Sequence, residues 1–445
     1  MIRKKTDFNR RQILQLMGLG AATLLTSRFL TGCAVSPVTG ERHLMMISES
    51  QEISLDRQQS PHQFSADYGV VQDRNLNAYI DGIGRQIAAN SHRPQMPFSF
   101  RAVNAAYINA YAFPGGSIAV TRGILVELES EAALAALLGH EIGHVCARHS
   151  ARQVSKGLLA DIFVTGASVA TSAAGYQGAT DLVQGLGALS AGALLARYSR
   201  DNEREADALG MAYMTRTGYS PEGMVQLMEM LQRSGRNQAS AIELMFATHP
   251  MSTERLTQAR MAAQTTYQQL QRLPVYRDRY MDNTASVRRD KPLITALQQG
   301  SAAMGKKQHQ QAERHFQEAL RLRPGDYAAL VMMAKCQLVM DRNTAAERYA
   351  LEATRVYPRE AQAHIITGIT SIINRKYNQA IHHLGEYDRL LPGNPEVLFY
   401  QGYSWEQMNH RRQAADHYIA YLRKRNQGQR AQYAHNRLRE WGYIR

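Results

Sequence analysis

Leu134 to His149 reads L-A-A-L-L-G-H-E-I-G-H-V-C-A-R-H, and the rest of the chain is understood outward from it. Apolar Ala132 to Leu138 predicts a buried helix that runs into His140-Glu141-Ile142-Gly143-His144. Four residues of α-helix turn through about 400°, so His140 and His144 project from nearly the same face one turn apart. Neutral imidazoles placed this way can hold one Zn²⁺ per chain. Glu141, offset by one residue, can take a proton from water while a carbonyl is attacked. The implied chemistry is peptide hydrolysis.

Catalytic zinc takes three protein ligands and leaves a fourth position open, which directs the search to a second element. The metzincin continuation requires Gly at 147 and His at 150; Ala147 and Ser150 stand there instead. Further on, the stretch Arg200 to Gly210, R-D-N-E-R-E-A-D-A-L-G, offers Glu203 and Asp207, again at i and i+4. Glu203 can complete a His₂Glu site, and Asp207 can accept the free ring N–H of a ligand histidine. Glu205 falls on another face of that helix and reads as a solvated surface charge.

H-E-x-x-H followed tens of residues later by E-x-x-A-D-x-x-G resembles the zinc metallopeptidase family of the CaaX prenyl proteases and the HtpX-type proteases. The resemblance implies that Glu203 is the third zinc ligand. It implies that the N-A-x-x-x-P-G-G stretch from Asn109 leads into an edge strand, Gly115, Gly116, Ser117, Ile118, Ala119 and Val120, that pairs with substrate. His249, in Thr248-His249-Pro250-Met-Ser-Thr-Glu-Arg255, resembles the family's H-P-x-x-x-x-R motif. There it can stabilise an oxyanion or, at rest, occupy zinc's open position. Arg200 and Arg255 can pair with local carboxylates or bind substrate.

From about residue 290 the pattern becomes a repeat. Ala312, Ala346, Ala380 and Ala414 recur every 34 residues, with Pro324, Pro358 and Pro392 at the repeat ends and Gly300, Ala334, Gly368 and Gly402 at a small-residue position. This is the tetratricopeptide signature: small residues let paired helices approach, and proline ends the second helix. The expected fold class is mainly α with a small β-sheet, a zincin-like metallopeptidase domain followed by an α-solenoid of tetratricopeptide repeats.

At the amino terminus, Arg3, Lys4, Lys5, Arg10 and Arg11 precede an apolar stretch from Ile13 to Leu25 and small residues before Cys33, which predicts an export signal. Leu30-Thr31-Gly32-Cys33 resembles a bacterial lipobox, making Cys33 the expected lipidation site, although Arg28 interrupts the apolar run. Ala34 in place of Asp is what outer-membrane lipoproteins show. Asn9 to Leu14 also approximates a twin-arginine signal. Ile162 to Thr180 is 19 uncharged residues dominated by Gly, Ala, Ser and Thr, and reads as packed helices or a flap beside the site in preference to a membrane span.

The expected division is 1–32 export signal, 33–70 tether and helical segment, 71–289 metallopeptidase domain, 290–428 four repeats and 429–445 capping helix. With 44% hydrophobic and 20% charged residues the chain is globular. Three cysteines provide no disulfide framework; Cys146 and Cys336 read as small core residues. The net charge of +14 is uneven: residues 33–290 are near neutral, while residues 291–445 carry 23 Lys/Arg against 13 Asp/Glu. A basic repeat half suits an acidic protein partner or an anionic membrane surface. Nucleic acid is not expected, because no basic motif carries interleaved aromatics.

The family resemblance and the domain order together imply a periplasmic zinc endopeptidase on the inner leaflet of the outer membrane. Its implied clients are unfolded or misassembled outer-membrane proteins, and its implied partner, through the repeats, is the β-barrel assembly machinery. The alternative is a chaperone or assembly adaptor with a closed or structural zinc site; intact Glu141 argues against it, since structural zinc needs no base. A cell-wall hydrolase is a third reading that the repeats disfavour.

Overall fold

The computed structural model describes residues 33–35, 37–44, 47–152 and 197–444. The expected export signal at 1–32 and the uncharged run Ile162 to Thr180 lie outside the described residues. Among the described residues no helix is long and apolar enough to cross a membrane.

The chain enters through a hairpin of β1 (Cys33–Val35) and β2 (Arg42–Leu44), then α1 (Glu49–Ala66) and α2 (Arg74–Ala89). A three-stranded sheet follows: β3 (Ser99–Val103), β4 (Ala110–Ala112) and β5 (Ser117–Thr121). After the short α3 (Arg122–Leu125) comes α4 (Glu131–Cys146), buried along its whole length, which carries His140, Glu141 and His144. Ser130 caps it, accepting from the Ala133 N–H at 3.1 Å. α5 (Arg200–Arg216) carries Glu203 and starts at a capping box of Ser199 and Asn202. Then come α6 (Glu222–Asn237), α7 (Ala239–Thr248), α8 (Thr253–Gln264), α9 (Arg277–Asn283) and α10 (Ala285–Arg289).

The sheet order is β3-β5-β4, with β5 parallel to β3 and antiparallel to β4. This corrects the expected edge strand. Ser117 to Val120 belong to the central strand, whose main-chain groups are engaged on both sides, and Ile118, Ala119 and Val120 are fully buried. Gly115 and Gly116 form the turn before it. A Cβ on Gly115 would lie 2.6 Å from Asp56 of α1, and Asp56 accepts from the Ser117 N–H at 2.8 Å, so this tip is held against α1. The strand beside α4 at the margin of the sheet is β4.

α1 has almost no apolar face; its buried positions include Glu52, Asp56, Ser60 and Gln63. It packs through charge. Glu52 pairs with Arg93 at 2.8 Å and with Arg148 at 2.7 Å, all three buried, so no partner is left unpaired in the interior.

The second half stacks helices in antiparallel pairs: α11 (Lys291–Gly305) with α12 (His309–Leu322), α13 (Tyr327–Val339) with α14 (Asn343–Val356), α15 (Ala361–Ile373) with α16 (Tyr377–Leu390), and α17 (Pro395–Gln407) with α18 (Arg411–Lys424). α19 (Gln429–Glu440) packs on the last pair. Close approach explains the small-residue position: a Cβ on Gly300 would lie 2.3 Å from the Phe316 ring, and one on Gly368 would lie 2.7 Å from Leu384. The solenoid is joined to the first half by buried groups. Arg122 donates to both carboxylate oxygens of Asp326 at 2.6 and 3.0 Å, and Gln362 donates to the Ser65 carbonyl at 2.7 Å.

Candidate metal centre

The two helices that carry the site cross at glycine. Ideal Cβ atoms on Gly139 and Gly210 would each fall within 3.0 Å of the other helix's backbone, and one on Gly143 would lie 3.0 Å from the Ala206 carbonyl. Only this close crossing lets a carboxylate on α5 reach two imidazoles on α4.

His140 Nε2 lies 3.0 Å from His144 Nε2, and Glu203 presents Oε2 to His140 at 3.6 Å and Oε1 to His144 at 3.3 Å. His249, just past α7, brings Nδ1 to 3.1 Å from Glu203 Oε1 and 3.5 Å from His140 Nε2. The four donor atoms all lie within 4.8 Å of one another and all four residues are buried. Three imidazoles and a carboxylate are a zinc donor set.

Glu141 fits the same assignment. Both of its carboxylate oxygens are buried and make no hydrogen bond among the described residues, while His249 Nε2 lies 3.9 Å from Oε1. An unsatisfied buried carboxylate is costly, so its presence points to a partner such as water at the metal. Burial pushes its pKa up.

Around these residues a second set of contacts fixes orientation. His140 Nδ1–H donates to Asp207 Oδ1 at 2.8 Å. Arg255 clasps Asp207 through Nε at 2.6 Å and reaches Glu203 Oε2 at 2.7 Å, so its role is pairing with local carboxylates. Burial would raise the Asp207 carboxyl, but the Arg255 charge and hydrogen bond bring it below the ordinary range. Burial likewise opposes ionisation of Glu203, yet His249, His144 and His140 hold it well below the usual carboxylate range. Burial, helped by the neighbouring His140 and His149, drives His144 well below the ordinary imidazole value against the pull of Glu203. For His140, burial is outweighed by the Asp207 hydrogen bond and the Glu203 charge, and its pKa rises.

Two residues escaped the sequence reading, and a third stands elsewhere than expected. The Tyr198 ring stacks on His144 at 3.7 Å between centroids. His149 Nδ1 lies 2.9 Å from His144 Nδ1. Glu205 is not the solvated charge expected: its side chain is 26% exposed and Oε2 lies 3.0 Å from His149 Nε2. Helical-wheel reasoning placed Glu205 against its own helix alone, whereas its partner comes from the chain beyond α4.

The fold is a mainly helical domain that holds a buried four-donor cluster suited to zinc and leads into a solenoid of helical pairs. Residues 74–263 match peptidase family M48, and residues 303–367 match the tetratricopeptide repeat. Among curated proteins the chain is similar to the beta-barrel assembly-enhancing protease of Yersinia pestis, 29% identical over 269 residues, 54% of this chain and 53% of that protein. It is similar to the putative beta-barrel assembly-enhancing protease of Vibrio cholerae, 33% identical over 200 residues, 44% of this chain and 40% of that protein. Metalloprotease YcaL of Escherichia coli is 34% identical over 161 residues, 36% of this chain and 59% of that protein. The chain thus spans about half the length of the curated relatives it matches.

Proposed function

We propose that the chain is a zinc-dependent endopeptidase of the periplasm, with His140, His144 and Glu203 as the metal ligands and Glu141 as the base. The observation that carries this is the buried Glu141 carboxylate, without a hydrogen bond among the described residues, beside the four-donor cluster. When bound, zinc supplies Lewis acidity that polarises a peptide carbonyl and acidifies water. Glu141 takes the proton from the attacking water and delivers it to the leaving amine nitrogen. Asp207 holds the His140 ring in the tautomer that leaves Nε2 bare.

An extended substrate pairs with β4, not with the expected Gly115 to Val120 segment. Tyr111 faces Ala119 across the ladder, so the main-chain groups of Ala110 and Ala112 turn to the open side.

The names of the relatives, the family resemblance and the basic solenoid support the finer reading. The protein is tethered to the outer membrane through lipidated Cys33 after removal of 1–32, and it degrades misfolded or stalled outer-membrane proteins. The repeats at 290–428, closed by 429–445, deliver clients and engage the barrel assembly machinery. The test is cleavage of an unfolded outer-membrane barrel protein by wild type and Glu141→Gln at equal, measured zinc content. Cleavage by both at the same rate defeats the reading.

A second reading is favoured by the place of His249, whose Nδ1 stands among the donors. His249 closes the fourth position at rest, and the chain acts as an assembly adaptor until a client displaces it. Client binding by both proteins with cleavage by neither would put this reading first.

A further inference from the structure

The nitrogen of His144 turned away from the donor cluster is Nδ1, and the group it meets is another imidazole. His149 Nδ1 lies 2.9 Å from it, and His149 Nε2 lies 3.0 Å from Glu205 Oε2. An ionised carboxylate only accepts hydrogen bonds, so His149 Nε2 must carry the proton that it donates to Glu205. A neutral imidazole protonated on Nε2 presents a bare lone pair at Nδ1. His144 must then donate its own proton from Nδ1, which leaves the lone pair on Nε2, the atom facing Glu203 and His140. One carboxylate thereby sets the tautomer of two rings in sequence.

The backbone is bent to make this contact. α4 ends at Cys146, and Arg148 takes φ +58°, a left-handed conformation that is strained for a residue with a side chain. That turn folds His149 back onto the helix it has just left. Arg148 is pinned there, Nε donating to Glu52 at 2.7 Å and a terminal nitrogen to the Ile47 carbonyl at 2.9 Å. The Tyr198 ring covers one face of His144 at an interplanar angle of 20°, and the His149 ring meets His144 at 70°. His144 is therefore held by stacking on its face and by a hydrogen bond at its outer nitrogen.

We propose that His149 and Glu205 are positioning residues, a relay that fixes the tautomer and ring orientation of His144 and so sets the affinity of the site for zinc. The proposal rests on the zinc reading above. It is the counterpart, on the second histidine, of the Arg255 and Asp207 arrangement on the first.

The test uses the full chain and reads metal binding directly, by zinc competition against a chelator and by the visible spectrum of the cobalt-substituted protein. His149→Ala should weaken zinc binding on the order of 10- to 100-fold, and Glu205→Ala should act in the same direction by less. Because Glu205 works through His149, adding Glu205→Ala to His149→Ala should cost nothing more. His149→Asn keeps an acceptor near the position of Nδ1 and should recover part of the loss.

Wild-type affinity and an unchanged cobalt spectrum in both single alanine variants would overturn the relay, as would losses that simply add. If His149→Ala fails to fold, Glu205→Ala decides alone, since its side chain is partly exposed. Zinc binding by wild type that is abolished in His140→Ala establishes the metal site independently of the relay. A wild type that binds no zinc overturns the zinc reading, and the relay with it.

Discussion

Gly210→Ala tests whether the crossing of α4 and α5 makes the site. A Cβ there would lie 2.7 Å from the His140 backbone nitrogen and 3.0 Å from the Gly139 carbonyl carbon. Ordinary contact needs about 3.5 Å, so the helices must part by roughly 0.8 Å at the point where His140 leaves its helix. Backbone atoms on both sides cannot rotate away as a flexible side chain would. Ligand distances at a zinc site tolerate about 0.2 Å, which makes the required shift several times too large. Overpacking of this kind costs about 1–3 kcal/mol, offset in part by about 1 kcal/mol from the better helix propensity of alanine. The expected outcome is a folded protein with a modestly lowered Tm, and with zinc affinity and peptidase activity each down by on the order of 10²-fold. The measurement pairs thermal unfolding with zinc competition, and Gly82→Ala is the control, a helical position where a Cβ meets nothing within 4 Å. Wild-type zinc affinity in Gly210→Ala would refute the reasoning, because the site would then tolerate a separation the geometry says it cannot.

Other expectations follow from single contacts. Glu141→Gln should keep its zinc and lose hydrolysis by about 10²–10⁴-fold, the range of a lost general base, with metal analysis and peptide cleavage read on the same sample. His249→Ala should raise the basal cleavage rate if the ring closes the site at rest; a fall in kcat at constant zinc content would assign it to the oxyanion. Glu360, buried at the joint between α1 and the solenoid, has its pKa pushed up by burial from 4.5 to about 7. A raised folded value stabilises the fold fully below pH 4.5 and loses that contribution as pH rises through 7, about 3 kcal/mol in all. Denaturant midpoints taken from pH 4.5 to 8 should therefore fall more steeply in wild type than in Glu360→Gln; parallel profiles would remove Glu360 as the cause.

The parts of this molecule written in local spacing were legible in its sequence. Imidazoles at i and i+4, small residues every 34 positions and a carboxylate at the head of a second helix announce themselves because a helix turns by a fixed angle per residue. The order of the sheet did not. β5 is central because β3 joins it in parallel from a distance, and no feature of Ser117 to Thr121 distinguishes a central strand from an edge. His149 was missed because it stands five positions after His144, a spacing that places it off the helix face until the left-handed turn at Arg148 brings it back. The repeat turns were hidden similarly. Lys307, Asp341, Arg375 and Asn409 all take positive φ at the same place in successive repeats, yet none is glycine.

α1 explains why the polar segment ahead of the domain packs without an apolar face. Its first turns hold Arg93 and, through Glu52, the Arg148 turn that carries His149. Its middle fixes the Gly115–Ser117 tip through Asp56. Its last turn reaches the solenoid, where Ser65 donates to Glu360 and Gln362 donates back to the Ser65 carbonyl. Asp67, just beyond, accepts from Tyr107 at 2.7 Å and from Tyr111 of β4. Apolar packing would hold such a helix at many equivalent registers, but charged and hydrogen-bonded partners at fixed positions admit one, because any slip leaves buried charges unpaired. One polar helix and the residue after it thus touch the joint with the solenoid, the turn that follows α4, and β4.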